Sequence, residues 1–320
     1  MSAATKPGVR GLQMRRLAVS DIGPLNLVFA DAFSDRYRRD GLAGVRVPPL
    51  NPQIWRYALD DAGDGAMCWV DGEDRLVAFN IAHVSGVEGW MGPLAVRPEW
   101  QATGLGTRIV TWGTEYLRSR GCTVIGLETM PRTMDNIGFY SRLGYVPAHM
   151  TITFAFEARP ARCELLSRLG ARDTDAAIRS CAALVGRLQP GVDFSRELQL
   201  TRTLGIGDTV LLVGQKGVEG FALCHEAPLV EARTRDEVRV LKLAVADQQQ
   251  FAPLLAAVGG YARDCGTARA TVRVQGDYPE AYRTMVGLNA RVRWTDLRMT
   301  LSGAEERIPA RGVVFSNWEI

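Results

Sequence analysis

Leu94-Ala-Val-Arg-Pro-Glu-Trp-Gln-Ala-Thr-Gly-Leu-Gly-Thr107 reads as the apolar end of a strand running into a short glycine-bearing turn. The turn opens at once into a long amphipathic segment, Thr107 to Arg120, with helical spacing of its apolar residues. A helix start leaves backbone N–H groups unpaired and carries a partial positive charge. Glycines allow an anion to approach those amides without a Cβ in the way. The stretch is therefore a phosphate cradle, and it predicts a strand–turn–helix unit around which the rest of the sheet is arranged.

Three phosphate-binding turns compete for this reading. The dinucleotide fingerprint requires a third glycine, and its position is Ile109. The P-loop requires a lysine, and the chain has only Lys6, Lys216 and Lys242, none near the turn. The third is Gln/Arg-x-x-Gly-x-Gly/Ala after a Val-containing strand, and Gln101, Gly104 and Gly106 fit it with Val96 ahead. Downstream, Thr123–Thr129 reads as a strand and is followed by Ile137-Gly-Phe-Tyr-Ser-Arg-Leu-Gly-Tyr145.

These two motifs, one strand apart and in this order, resemble the GNAT superfamily, the acyl-coenzyme A-dependent N-acyltransferases. The resemblance implies an α/β (α+β) fold with a mixed sheet and helices on both faces. It implies acetyl-CoA, or another acyl-CoA, as the donor. The backbone of Leu94, Ala95 and Val96 would then hold the pantetheine arm beside a strand bulge. The pyrophosphate would rest on the amides of Gln101, Ala102, Thr103, Gly104, Leu105, Gly106 and Thr107. Tyr140 stands where the family has its general acid. Asn136, one helical turn earlier, shares its face, whereas the position seven before the tyrosine is Thr133 in place of the asparagine some members have.

The base is harder to place. Relatives use a carboxylate on the fourth strand, where this chain has Trp90; Glu88, two residues earlier on the same face, and Glu128, ending the fifth strand, are the candidates. His83 could line the acceptor side. The acceptor cleft would draw on Phe33, Tyr37, Trp55 and Tyr57, with Trp69 and Trp90 nearby; such aromatic walls suit a flat or apolar amine or a cation. A small-molecule amine is the expected acceptor. The alternatives are a non-catalytic acyl-CoA sensor or scaffold, and a GNAT-fold enzyme acting on a carrier-protein thiol.

The chain also repeats itself. Leu94-Ala-Val96 recurs as Leu243-Ala-Val245, Gly121 as Gly266, the strand Thr123–Thr129 as Ala268–Val274, and Arg142-Leu-Gly144 as Met285-Val-Gly287, at an offset near 145 residues. We expect two tandem GNAT-like domains, residues 1–157 and 158–320, joined around Glu157-Ala-Arg-Pro160. Only the first keeps the phosphate turn: Val96 to Gly121 spans 25 positions, but Val245 to Gly266 only 21. The second has Ala246-Asp-Gln-Gln-Gln-Phe-Ala-Pro-Leu254 there, and Asp247 would repel a pyrophosphate. Arg283 takes the place of Tyr140. The C-terminal copy is thus expected to be degenerate, with a structural or cleft-lining role.

In the N-terminal copy the patterns place strands at Leu12–Ala18, Met67–Asp71, Leu76–Val84, Trp90–Val96 and Met150–Phe156. A helix capped by Ser20 or Asp21 runs to about Phe33, with an irregular aromatic stretch from there to Asp64. At 320 residues the chain has room for two domains. Its net charge of +3, without a dense basic patch, gives no support to nucleic-acid binding. Arg36-Tyr-Arg-Arg39 reads as a solvated face or as a contact for a ligand anion. No stretch approaches a membrane span, and Met1–Arg10 reads as a short disordered lead-in with no signal-peptide core. The six cysteines show no paired spacing, no metal site is expected, and a reduced, cytoplasmic setting is the default. The oligomeric state is left open.

Overall fold

The computed structural model of the chain describes residues 9, 11–215 and 217–318. The lead-in expected over Met1–Arg10 lies, Val9 apart, outside the described residues. The first half runs β1 (Gln13–Arg16), α1 (Ile22–Arg39), α2 (Pro52–Ala62), β2 (Ala66–Val70), β3 (Leu76–Ser85) and β4 (Glu88–Val96). It continues with α3 (Leu105–Ser119), β5 (Val124–Thr129), α4 (Met134–Arg142) and β6 (Tyr145–Glu157). The second half runs β7 (Glu164–Leu165), α5 (Ala171–Leu188), α6 (Ser195–Leu204), β8 (Gly207–Gly214), β9 (Gly217–His225) and β10 (Val238–Val245). It ends with α7 (Phe251–Asp264), β11 (Arg269–Gln275), α8 (Pro279–Gly287), β12 (Arg291–Leu301) and β13 (Val313–Ser316).

Helices cover both faces of the sheet, as the mixed α/β class requires. Leu25, Val28 and Ala32 of α1 and Trp55, Ala58 and Leu59 of α2 form one apolar cluster with Phe79, Ile81 and Ala95. On the opposite face Val110 and Leu117 of α3 and Tyr140 of α4 cluster with Ala82, Met91 and Leu127. In the second half, α7 supplies Phe251, Leu254, Leu255 and Val258 to a core shared with Val240, Leu243 and Val245 of β10 and Val272 of β11.

Two local expectations are corrected. The stretch from Phe33 to Asp64 is not irregular, because it contains α2: Asn51 Oδ1 accepts from the amide of Gln53 at 3.0 Å and Pro52 fills the first helical position. Helix α1 extends to Arg39 because Arg36 pairs with Asp40, and Arg38 and Arg39 pair with Asp35, along its last turns. The Arg36–Arg39 run is therefore spent on neighbouring carboxylates, Asp135 of α4 included, at 3.3 Å from Arg36.

The strand order is β1-β2-β3-β4-β5-β12-β6-β11-β10-β9-β8-β7. Chain order would place β6 and β12 each in its own half. Instead β12 pairs with β5 from Leu297↔Thr129 to Thr300↔Gly126, and β6 pairs with β11 from Arg269↔Glu157 to Gln275↔Thr151. The two exchanged strands also pair with each other. The expected boundary at 157/158 thus falls in a loop of the chain, while the sheet runs on through it without a break.

An ionic seam marks the exchange. Glu128 of β5 is bound by Arg273 of β11, lies 3.6 Å from Arg298 Nε of β12, and accepts from Thr151 Oγ1 of β6 at 2.7 Å. Arg273 also reaches Asp296 of β12 at 3.0 Å. The Arg298 guanidinium has no solvent exposure and lies 3.9 Å over the Trp90 ring. Burial alone would raise the Glu128 pKa; the charges of Arg273 and Arg298 and the Thr151 hydrogen bond overcome it and hold it below its ordinary 4.5.

A Glu128→Gln variant leaves two buried guanidiniums short of a counter-charge and should lose roughly 3–5 kcal/mol at neutral pH. The Glu128 pKa is depressed on folding, so its contribution is complete above 4.5 and fades as pH falls through the folded value. Urea unfolding at a series of pH values should show the gap between wild type and variant closing in acid. A gap that stays constant would remove Glu128 from the seam's energetics.

Candidate active site

Strand β4 parts from β5 at a defined point. The two pair in parallel from Glu88↔Val124 to Met91↔Leu127, and among the described residues no strand pairs with β4 on that side beyond Met91. On its other side β4 is bulged against β3: Ala82 faces Met91 and Asn80 faces Leu94, so Gly92 and Pro93 oppose the single residue Ile81. The result is a slot edged by Leu94, Ala95 and Val96.

The slot leads to the glycine turn. Thr103 Oγ1 donates to the carbonyl of Trp100 at 2.7 Å and Gln101 Nε2 to that of Val96 at 3.0 Å, which closes the turn on the strand end. Ala102 and Gly104 both have positive φ, 59° and 89°. Gly104 is the N-cap of α3 and has no side chain with which to cap it. The first-turn amides of Leu105, Gly106 and Thr107 thus have no helical carbonyl to bond. A Cβ on Gly106 would come 3.4 Å from the Phe139 ring, so this glycine brings α4 close against α3. Beside the turn lies an open cavity of about 490 Å³ lined by Val9, Gly11, Leu12, Thr103, Gly104 and Arg108. Arg108 was not singled out from sequence. The available signal was a cation in the first turn of a helix, where the dipole disfavours it unless an anion is near.

Tyr140 is buried in the same apolar cluster as Met91 and Leu127, the last pair joining β4 to β5. Burial pushes its phenol up to about 12. Asn136 Nδ2 lies 3.4 Å from Thr129 Oγ1 at the end of β5. Thr133 is buried and donates to Asp40 Oδ2 at 2.8 Å, tying α4 to the end of α1.

The two carboxylate candidates share one face of the sheet but differ in surroundings. Glu88 opens β4, three residues before the parting point or roughly 10 Å along the strand. Burial raises its pKa against the charges of Arg298 and Lys242. Glu128 sits in the seam with its pKa lowered. Trp90 is stacked under Arg298. Of the expected cleft aromatics, Trp55 and Trp69 are core residues: Trp55 packs edge-on against Phe29 and Phe79, and Trp69 against Trp112. Large rings on amphipathic elements turned inward because burial favours them. Tyr57 abuts His225 of the second half, and Tyr37 meets Trp294 of β12 at 6.2 Å. His83 is buried and engages the Gly92 carbonyl.

The second copy has the same frame with its slot filled. Strand β10 pairs with β11 only from Val238 to Val240, then carries an irregularity between Val240 and Lys242. From Lys242 to Val245 its free side is taken by β13, Val313–Ser316, in antiparallel register. In place of the glycine turn, Asp247 accepts from the amide of Gln249 at 2.9 Å, and Gln250 Oε1 accepts from the amide of Asp247 at 3.0 Å. An internal carboxylate and an internal strand thus occupy the two places left open in the first copy. Arg283, at the position of Tyr140, pairs with Glu280 at 3.0 Å.

Residues 30–145 match the model of the acetyltransferase (GNAT) family. No curated protein matches the chain significantly. Among solved structures, a putative acetyltransferase from Pyrococcus horikoshii superposes at a TM-score of 0.66 and 17% identity, over 96% of this chain and 95% of that one. A tandem GNAT protein from the clavulanic acid biosynthesis pathway gives 0.59 at 12% identity, over 90% and 98%. Saccharomyces cerevisiae N-myristoyltransferase with bound myristoyl-CoA gives 0.63 at 12% identity, over 96% and 86%. At these identities the structural likeness concerns the fold. Residues 30–145 thus resemble the GNAT acetyltransferase family, and the chain as a whole shares its fold with solved GNAT structures, a tandem GNAT protein among them.

Asp247→Ala should cost about 1 kcal/mol through loss of the cap, measured by urea unfolding. No loss of stability would show that the Asp247 carboxylate does not satisfy the helix start.

Proposed function

We propose that the chain is an acyl-CoA-dependent N-acyltransferase with a single donor site, in its N-terminal half, acting on a small-molecule amine. The observation that carries this reading is the contrast between the copies. Where β4 leaves β5 the slot is open, with a side-chain-free helix start below it, and the equivalent slot along β10 is filled by β13.

The residues present fit an acyl-CoA. The amides from Gln101 to Thr107, with Arg108 beside them, would hold its pyrophosphate. The backbone of Leu94 to Val96, which among the described residues has no strand partner on the slot side, would bind the pantetheine amides as an added strand does. Tyr140, whose phenol keeps its proton throughout the neutral range, would donate to the departing sulfur. Of the two carboxylates Glu88 is the better proton acceptor, because burial raises its proton affinity, while Arg273 and Arg298 depress that of Glu128. Acetyl-CoA is the donor to try first.

Incubation with acetyl-CoA and a panel of amines, read by mass spectrometry, tests the reading directly. Tyr140→Phe should lower kcat by about 10- to 10⁴-fold with little change in the Kd for CoA. Equal turnover by the Phe variant would leave the hydroxyl a packing role only.

A further inference from the structure

The second half touches the donor slot of the first through a chain of three side chains. Arg196, on α6, donates from Nε and Nη2 to Asp61 Oδ1 at 3.0 and 2.8 Å, and from Nη2 to the carbonyl of Val84 at 2.6 Å. Asp61, in the last turn of α2, is buried, and its other oxygen lies 2.5 Å from His83 Nδ1. His83, on β3, places Nε2 3.1 Å from the carbonyl of Gly92. A carbonyl only accepts, so Nε2 is the donor. Gly92 is the first residue of β4 past its last pair with β5, and it lies inside the bulge where the β3 ladder is interrupted. The second half also braces the imidazole from the side. Trp318 packs against it at 5.3 Å between ring centres, and Lys242 Nζ stands 3.0 Å over the Trp318 ring while donating to Ser316 Oγ and the carbonyl of Asn317.

We propose that Arg196, Asp61 and His83 are positioning residues that fix the Gly92 carbonyl, and with it the slot edge Leu94–Val96, so that the C-terminal half sets the alignment of the thioester in the N-terminal half. Each link has a stated task. Arg196 holds Asp61 as a buried carboxylate. Asp61 orients the ring of His83. His83 supplies to the bulged strand the hydrogen bond that its neighbour strand cannot. A shift of about 1 Å in this edge is enough to change turnover by orders of magnitude, whereas the phosphate turn at Gln101–Thr107 has its own internal bond from Thr103 to Trp100 and joins the edge only at its far end, Val96, four residues beyond Gly92. This inference rests on the proposed donor site.

The test uses the full chain carrying Arg196→Met, Arg196→Lys, His83→Phe, and the Met/Phe double variant. Phe keeps a ring against Trp318 and removes both hydrogen bonds. Binding of free CoA is measured by calorimetry, and kcat and KM with acetyl-CoA and an amine that the wild type acetylates. Arg196→Met and His83→Phe should lower kcat by about 10- to 100-fold with the Kd for CoA within about twofold of the wild type. Arg196→Lys should recover most of the loss, and the double variant should be no worse than His83→Phe alone, as for links of one chain. Unchanged kcat, or a Kd for CoA that weakens in step with kcat, would overturn the proposal while leaving the donor site standing. A wild type that binds no CoA would overturn the functional reading beneath it.

Discussion

The structure depends on one exchange: β6 and β12 lie side by side at the centre of the sheet, each beside the other half's fifth strand. Neither half then has a complete sheet of its own, since removing either would leave unpaired edges on strands that are otherwise buried. The cost of this arrangement is that charged residues meet largely shielded from water. Glu128, Arg273, Asp296 and Arg298 come from three different strands and form ion pairs with one another there. Such a set adds little net stability over an apolar core, but it penalises any register that separates its members. With a side-chain period of two, a one-residue slip of β12 would turn Asp296 and Arg298 to the other face.

From that shared frame the two copies diverge by filling. Both have a strand that pairs briefly with its fifth-strand neighbour and then bulges away. In the first copy the opening faces a helix start with a bare glycine cap. In the second, β13 and the carboxylate of Asp247 satisfy the same backbone groups from within the chain. The tail of the chain continues from β13 to Trp318, which packs on His83 behind the first copy's bulge. Closing one slot thus places a side chain against the wall of the other.

Much of this is legible in the residues, and the divisions follow the range of the interactions. The strand ending at Val96, the turn over Gln101–Gly106, the helix carrying Tyr140 and the missing turn after Val245 are all local patterns of glycines and apolar periodicity. Their places can be read directly. The Asn51-Pro52 helix start is equally local, but the aromatic content around it masks it. The strand exchange is not legible, because an alternating strand such as β12 carries the same pattern whichever neighbour it has. Arg196 and Asp61 are 135 positions apart in the chain, and no spacing rule connects them. The aromatic residues mislead because a tryptophan fits a core and a ligand wall equally well; Trp55 and Trp69 are core.

One of two related slots is thus left without a strand partner among the described residues, and the other is closed by the chain itself. Calorimetric titration of the full-length protein with CoA tests this most directly. One equivalent bound per chain is the expected result. Two equivalents would show that β13 does not close the second slot, and no binding would show that the glycine turn of the first is not a donor site.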